Sequence, residues 1–331
     1  MAEAKYDVLA IGNAIVDVLA RVEDGLLEAQ SLTKGSMRLI DEAEADRLYG
    51  AMGPAVEVSG GSAANTIAGL ASFGGRGAFI GKVRDDQLGH VFAHDIRAEG
   101  VAFTTPSATE GPTTARCLIL VTPDGQRTMN TFLGASSGLS PADIDGRLVA
   151  DAGVTYLEGY LWDPPLAKEA FVKAAQAARG AGRKVALTLS DSFCVDRHRQ
   201  SFLDLIRSDV DMLFANEAEI GSLYQVKSFD QALAKVRSDC RLAVLTRSEK
   251  GCVVVDGEAL HEVPAVPGVT VVDTTGAGDL FASGFLAGYA RGAPLRRAAE
   301  LGVLAAAEVI SHLGARPQTR LDALVRKKGL V

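Results

Sequence analysis

Beyond residue 140 the chain settles into one repeated rhythm that few folds can accept. Short apolar runs at 154–158, 184–189, 212–215 and 242–246 alternate with helix-length stretches at 141–150, 165–180 and 197–207 and a further helical pair before 242. Strands separated by helices of about 10–15 residues pair in parallel and wind a sheet with helices on both faces. Such strands are buried on both sides, which is why these runs are almost continuously apolar. The run at 7–12, the strand at 78–83 and the helices at 60–73 and 87–99 obey the same logic. The expected class is therefore α/β, with a central, mainly parallel sheet flanked by helices. The β-like pieces at 14–22, 37–40, 55–58, 115–121 and 128–132 break the rhythm. The last two are joined by Thr122-Pro-Asp-Gly125, a hairpin turn. These pieces are expected to build a small separate sheet, a lid or flap. The end reads as helices at 277–291 and 295–311 with a short tail helix.

Composition sets the outer bounds. A chain of 331 residues, 47% of them hydrophobic, buries a large core and is too apolar to be disordered. A net charge of −7 argues against a basic nucleic-acid face. The widest uncharged apolar stretches, such as 280–290, fall well short of the roughly 20 residues that a membrane helix needs. The first apolar stretch holds Asn13 and Asp17 and lacks a basic start, so no signal peptide is expected. Cys117, Cys194, Cys240 and Cys252 show no metal-ligand spacing and read as reduced thiols. A cytoplasmic monomer, without nucleic-acid or membrane partners, is the expectation.

Several motifs fail on their own terms. Gly12 follows a strand but no further glycines complete a dinucleotide fingerprint, and Gly81-Lys82 lacks the rest of a phosphate loop. His90 and His94 stand four apart without the glutamate of a zinc protease helix, and Ser31-Leu-Thr-Lys34 lacks its companion motifs. Gly134-Ala-Ser136-Ser-Gly138 matches a nucleophile elbow, but the following helix starts too late for that turn.

Three motifs hold. In Val272-Asp-Thr-Thr-Gly-Ala-Gly-Asp279 a β-like run enters a glycine turn and an apolar helix leaves it. The small residues Gly276, Ala277 and Gly278 allow close approach, and a helix start offers unpaired N–H groups to an anion. Asp279 is either a helix-start carboxylate or a general base facing the group that attacks a phosphate. Gly60-Gly-Ser-Ala-Ala-Asn65 opens a helix either as a cap or as a close-approach site for a polar ligand. Asn216 and Glu219, three apart after a strand, share a helix face and read either as a cap or as hard ligands suited to Mg²⁺. All three lie beyond the carboxyl ends of strands, the edge where open parallel sheets bind ligands.

Asp273-Thr-Thr-Gly-Ala-Gly-Asp279, Gly60-Gly-x-x-x-Asn65 continuing to Gly81-Lys-Val-x-x-Asp-Gln-Leu-Gly89, and Asn216-x-x-Glu219 together resemble the signatures of the ribokinase-like family of carbohydrate and nucleoside kinases. Within that family the likeness is greatest to the adenosine kinases, through Gly12-Asn-Ala-Ile-Val-Asp17, 187–193, 213–219 and Gly125-x-Arg127. Ala215 departs from the usual glycine. The resemblance implies one kinase domain over 1–331, with the lid drawn from about 14–58 and 101–132.

It further implies ATP-dependent phosphorylation of the adenosine 5′-hydroxyl. Asp279 would be the base, and the amides of Gly276, Ala277, Gly278 and Asp279 would hold the transferred phosphoryl. Asn216 and Glu219 would hold Mg²⁺, mostly through water, and Arg127 would reach the phosphates. Asp17, with Asn65 and the Gly60-Gly61-Ser62 turn, would take the ribose diol. Asn13, Met37, Phe132, Leu133 and Tyr160 would surround the base. Thr246, Ser248 and Gly251 would frame ATP, and Asp273 and Thr275 a K⁺ ion. Ribokinase- or fructokinase-like sugar phosphorylation, or another nucleoside such as inosine or guanosine, stands as the alternative.

Overall fold

The computed structural model describes residues 3–330. Its strands are β1 (Tyr6–Ile11), β2 (Ile15–Arg21), β3 (Met37–Leu39), β4 (Ala55–Gly60), β5 (Gly77–Ile80), β6 (Ala102–Phe103), β7 (Ala115–Val121), β8 (Arg127–Phe132), β9 (Ala152–Glu158), β10 (Lys184–Thr188), β11 (Met212–Asn216), β12 (Leu242–Thr246), β13 (Cys252–Asp256) and β14 (Ala259–Val263). Nine of them form one sheet in the order β14-β13-β12-β11-β10-β9-β1-β5-β6. The strands from β12 to β6 run parallel, while β13 and β14 fold back antiparallel at one edge. Successive residues of β1 serve opposite cores. Val8 and Ala10 pack with Phe79, Tyr156, Phe214 and Phe285, whereas Leu9 and Ile11 pack with Leu157, Phe171 and Phe202. Both faces are therefore covered by helices, as the unbroken apolar character of these strands requires. The helices Ser62–Ser72 and Ala277–Ala290 meet closely at Gly69, where a Cβ would lie 2.5 Å from Ser283 Oγ. That approach brings their N-terminal turns side by side.

The remaining five strands form a second sheet, β3-β8-β7-β2-β4. Its pleat gives two unlike faces. Val16, Val18, Leu118 and Leu120 are buried in the core with Leu27, Leu48, Phe92 and Ile96 of the helices Asp24–Ala29, Glu42–Ala51 and Gln87–Ala98. On the other face the register aligns Val58, Asp17, Cys117, Thr131 and Leu39 in one row, and Val56, Leu19, Ile119, Met129 and Met37 in the next. This face is open at its edge strands, where Met37, Leu39 and Val56 are 51%, 59% and 66% exposed, and closed over Cys117 and Ile119 of β7, which are buried.

Four local expectations change. The helices Asp24–Ala29 and Glu42–Ala51 sit in a stretch read as β pieces alone. β6 pairs with β5 in the large sheet, not in the second. The stretch 141–150 carries two start signals, a Ser140/Asp143 capping box and an Asp145 cap, and so breaks into a 3₁₀ turn at Pro141–Asp143 and the helix Gly146–Ala150. The helix expected from 197 begins at Ser192, capped by Asp191, and kinks at His198. All four cysteines are buried and free. Among the described residues, no helix is long and apolar enough to cross a membrane.

Candidate active site

Asp279 stands in the first turn of the helix Ala277–Ala290, whose N-cap, Gly276, takes a left-handed backbone at φ 78°. Ser62 Oγ donates to its Oδ1 at 2.6 Å and Asn65 Nδ2 to its Oδ2 at 3.1 Å. The two glycine-opened helices thus meet at one carboxylate, although 217 and 214 residues of chain separate these partners. Burial pushes the Asp279 carboxyl above the usual range. The hydrogen bonds from Ser62 and Asn65 and the Arg316 charge hold the rise back. By position, the Gly278 and Asp279 N–H groups have no intrahelical acceptor. The Ala277 N–H does have a partner, Thr274 O at 3.2 Å, so the four-amide cradle expected from the sequence has one member engaged.

Asp17 projects from β2, one strand in from the edge strand β4, on the face that carries Cys117 and Thr131. A Cβ on Gly60 would lie 2.4 Å from its Oδ2, so glycine makes room for that carboxylate. Burial pushes the Asp17 carboxyl up to about 6; Arg316 and Arg127 lower it and Asp279 raises it. Asp17, Asp279 and both arginines therefore share one electrostatic neighbourhood. Arg316 was not read from the sequence, because a lone arginine in a loop looks solvated. Its Nε donates to Asn65 Oδ1 at 2.8 Å, and its Nη2 to Ser59 O at 3.0 Å and Ser59 Oγ at 3.2 Å.

Glu158, at the end of β9, is the second residue that sequence reasoning missed. It is buried and accepts from the Asn13 N–H (3.3 Å), Asn13 Nδ2 (2.6 Å) and the Ala63 N–H (2.8 Å). Gly61 gives the helix Ser62–Ser72 no side-chain cap. Glu158 supplies one from another strand. Its carboxyl is pushed up to about 7 by burial, against those hydrogen bonds. The Asn13 amide is consumed in the process, since Ser136 Oγ donates to its Oδ1 at 2.9 Å. Ser136 is fully buried in this network, which ends its reading as a nucleophile.

At the far edge, Asn216 and Glu219 form a closed capping box. Glu219 N donates to Asn216 Oδ1 at 2.9 Å, and Asn216 N and Nδ2 donate to Glu219 at 3.0 and 2.5 Å. The cap is thus realised, and both Glu219 oxygens already accept a donor. Burial, with smaller effects from the charges of Asp191 and Asp279, still pushes Glu219 up to about 7. Among the described residues no group of three or more His, Cys, Asp or Glu is placed to hold a metal directly. Thr246 lies beside Asn216 in the sheet register. Ser248 (φ 51°) and Gly251 (φ 86°) shape the turn that follows.

Arg127, on the Asp17 face of the second sheet, reaches the loop before Asp279. Its Nη2 lies 2.8 Å from Asp273 Oδ2 and its Nη1 donates to Thr275 Oγ1 at 3.3 Å. Its buried Nε and Nη2 make no hydrogen bond among the described residues, so the approach to Asp273 is an ion pair without aligned donors. Asp273 also accepts from Thr275 N, Thr275 Oγ1 and Gly314 N. With Arg127 beside it, that carboxylate has its charge answered by the protein, and it offers no evident vacancy to a K⁺ ion.

Of the residues expected around a base, Met37 lies on the open face. Tyr160, 37% exposed, follows β9, and burial and the charges of Asp191, Asp279, Glu219 and Glu158 push its phenol up. Leu133 precedes the 3₁₀ turn Gly134–Gly138. Phe132 is a correction. It pairs with Arg116, on the opposite face from Cys117 and Asp17, and the Arg116 guanidinium lies over its ring at 5.9 Å. The period-two pleat turns 127, 129 and 131 one way and 132 the other.

The family model for pfkB family carbohydrate kinases matches residues 8–321. The chain is 54% identical to an adenosine kinase of Sinorhizobium meliloti, with a TM-score of 0.91 covering 98% of this chain and 100% of that one. It is 52% identical to a probable sugar kinase protein of Rhizobium etli CFN 42, with a TM-score of 0.92 covering 99% of this chain and 100% of that one. It is also 26% identical over 328 residues to the adenosine kinase of Saccharomyces cerevisiae, covering 92% of this chain and 95% of that one.

Proposed function

The chain belongs to the pfkB family of carbohydrate kinases and is a phosphotransferase acting on an alcohol group; we propose that the alcohol is the ribose 5′-hydroxyl of adenosine and the donor ATP. The observation that carries this reading is the open apolar face around Asp17. A free sugar asks for a polar cup, whereas Leu19, Val56, Val58 and Met129 beside a carboxylate suit a flat base joined to a diol. The likeness to adenosine kinases supports it.

In this reading the carboxylate of Asp17 accepts hydrogen bonds from the ribose 2′- and 3′-hydroxyls, and the base lies along the apolar rows. Asp279 accepts the 5′-hydroxyl proton as that oxygen bonds to the γ-phosphorus and the bond from phosphorus to the β–γ bridging oxygen breaks, releasing ADP. Ser62 and Asn65 keep the carboxylate turned toward the acceptor. The Gly278 and Asp279 amides, at a helix start, stabilise the charge on the transferred group. Phosphoryl transfer depends mainly on such positioning and electrostatics. The Nε–H of Arg127, buried and without a protein partner, would meet a phosphate oxygen after a shift of that side chain. Asn216 and Glu219 would hold Mg²⁺ through its water shell, where the ion neutralises phosphate charge. The second sheet acts as a lid that keeps water from the transfer.

The test incubates the protein with ATP and Mg²⁺ and adenosine, inosine, guanosine, ribose or fructose, and follows ADP. Adenosine-dependent ADP with AMP formed is the expected result. The likeness to a probable sugar kinase names the rival: ADP with ribose or fructose alone overturns the nucleoside reading and keeps the phosphotransferase.

A further inference from the structure

We propose that Arg316 is a positioning residue for the transfer step: it fixes the Asn65 amide so that its NH₂ faces Asp279, and it is the cation that lets Asp17 and Asp279 stay ionised near each other. The inference rests on the reading of Asp279 as the base. An asparagine amide has two nearly isosteric ends, and only its partners decide which one faces a carboxylate. Here the choice is forced. Arg316 Nε donates to Asn65 at 2.8 Å, and an arginine offers donors only, so that atom is Oδ1 and the opposite end, 3.1 Å from Asp279 Oδ2, is Nδ2. The arginine is itself anchored through Nη2 to Ser59 O and Oγ on β4. A chain of contacts therefore runs from β4 through the loop after the helix Leu295–Val309 to the first turn of the helix Ser62–Ser72, and ends on the carboxylate. Arg316 has no contact with the reacting group in this scheme; it acts through Asn65.

Asp279 from the helix Ala277–Ala290 raises the cost of ionising Asp17 from β2, burial raises it for both, and Arg316 opposes the rise at each. Arg127 from β8 faces Asp17 as well, and Cys117 from β7 lies beside it. Glu158, Tyr156, Tyr160 and Glu219 feel Asp279 from the other side. Glu99 and Asp95 at the end of the helix Gln87–Ala98 also face Arg316. Among these groups Arg316 alone opposes the burial of both carboxylates.

The test compares wild type, Arg316→Gln, Arg316→Lys and Asp279→Asn by kcat and KM against pH, and by the thermal midpoint at pH 5 and pH 8. Arg316→Gln is expected to lower kcat by about 10–100-fold with little change in acceptor KM, and to move the acidic limb of the kcat profile upward. Arg316→Lys keeps the charge but not the fork; it should restore the limb and only part of kcat. The midpoint deficit of Arg316→Gln should be larger at pH 8, where both carboxylates are ionised, than at pH 5. A kcat within about twofold of wild type, or a midpoint deficit equal at the two pH values, overturns the proposal. Wild-type turnover in Asp279→Asn overturns instead the reading of the base. The midpoint comparison needs no turnover and then judges the charge role of Arg316 by itself.

Discussion

Replacing Gly278 by alanine should separate folding from chemistry. Gly278 is the second residue of the helix Ala277–Ala290, and a Cβ built on it meets nothing within 4 Å. The fold therefore has no steric objection, and alanine in place of glycine in a helix is favourable by about 0.5–1 kcal/mol. For a chain of this size that keeps the thermal midpoint or raises it by about 1–3 °C. The empty space is nevertheless where the transferred group should meet the Gly278 and Asp279 amides. Donors to a developing oxyanion work at about 2.7–3.1 Å, and a methyl carbon beside them displaces the oxygen by roughly 1 Å, a shift able to cost about 10²-fold in rate. Gly276 gives the contrast. It sits at φ 78°, and its Cβ would lie 2.9 Å from Ala315 Cα. Gly276→Ala should lose roughly 1–2 kcal/mol from the left-handed backbone alone, with the clash added. Differential scanning fluorimetry and coupled ADP release measure both variants. A Gly278→Ala protein with kcat within about threefold of wild type would refute the idea that a phosphoryl group passes there.

Asp279→Asn should lower kcat by roughly 10²–10⁴-fold while calorimetry still detects acceptor binding; unchanged kcat removes the base. For Asp17, the folded carboxyl stands at about 6 against a reference of 3.8, so folding binds a proton between those values and stability falls as pH rises through that window. The shift corresponds to about 3 kcal/mol at most. Asp17→Asn should raise the thermal midpoint more at pH 8 than at pH 4, and a gain that does not grow with pH contradicts the assignment. Because the diol needs the ionised carboxylate, acceptor KM in wild type should climb as pH falls below about 6, and this climb should vanish in Asp17→Asn. Glu158→Ala strands two backbone N–H donors and the Asn13 amide, and urea unfolding should show a loss of about 2–4 kcal/mol; a loss below about 0.5 kcal/mol would mean that water replaces the carboxylate without cost.

The sequence carried what is local. Strand–helix alternation after residue 140 specified the parallel sheet, and two of the three motifs meet through Asp279, Ser62 and Asn65. Only Asn216-x-x-Glu219 directly follows a strand of that sheet, β11; Gly60 ends β4 of the second sheet, and no strand leads directly into 273–279. Distant contacts were invisible. Arg316 meets Asn65 across 251 residues and Glu158 meets Ala63 across 95, and neither pairing leaves a mark on its neighbours in sequence. Phe132 shows a different limit. Its aromatic character was plain, but which face it takes depends on the register with β7. Other misses had signals. Asp191 and Asp41 are helix caps with side chains accepting from the third residue onward, and each marked a start that apolar periodicity alone passed over.

The chain passes between the two sheets over 12–14, 61–76, 104–114 and 133–151. The first, second and last of these crossings are also walls of the candidate site, beside Asn13, Ser62 and Ser136. The crossings and the candidate pocket thus share residues. A rocking of the second sheet would turn the peptide planes that touch a bound ligand, so mechanical closure and recognition would be read from one set of torsions. A mutation that stiffens a crossing would therefore change affinity and opening rate together, and neither could be tuned without the other.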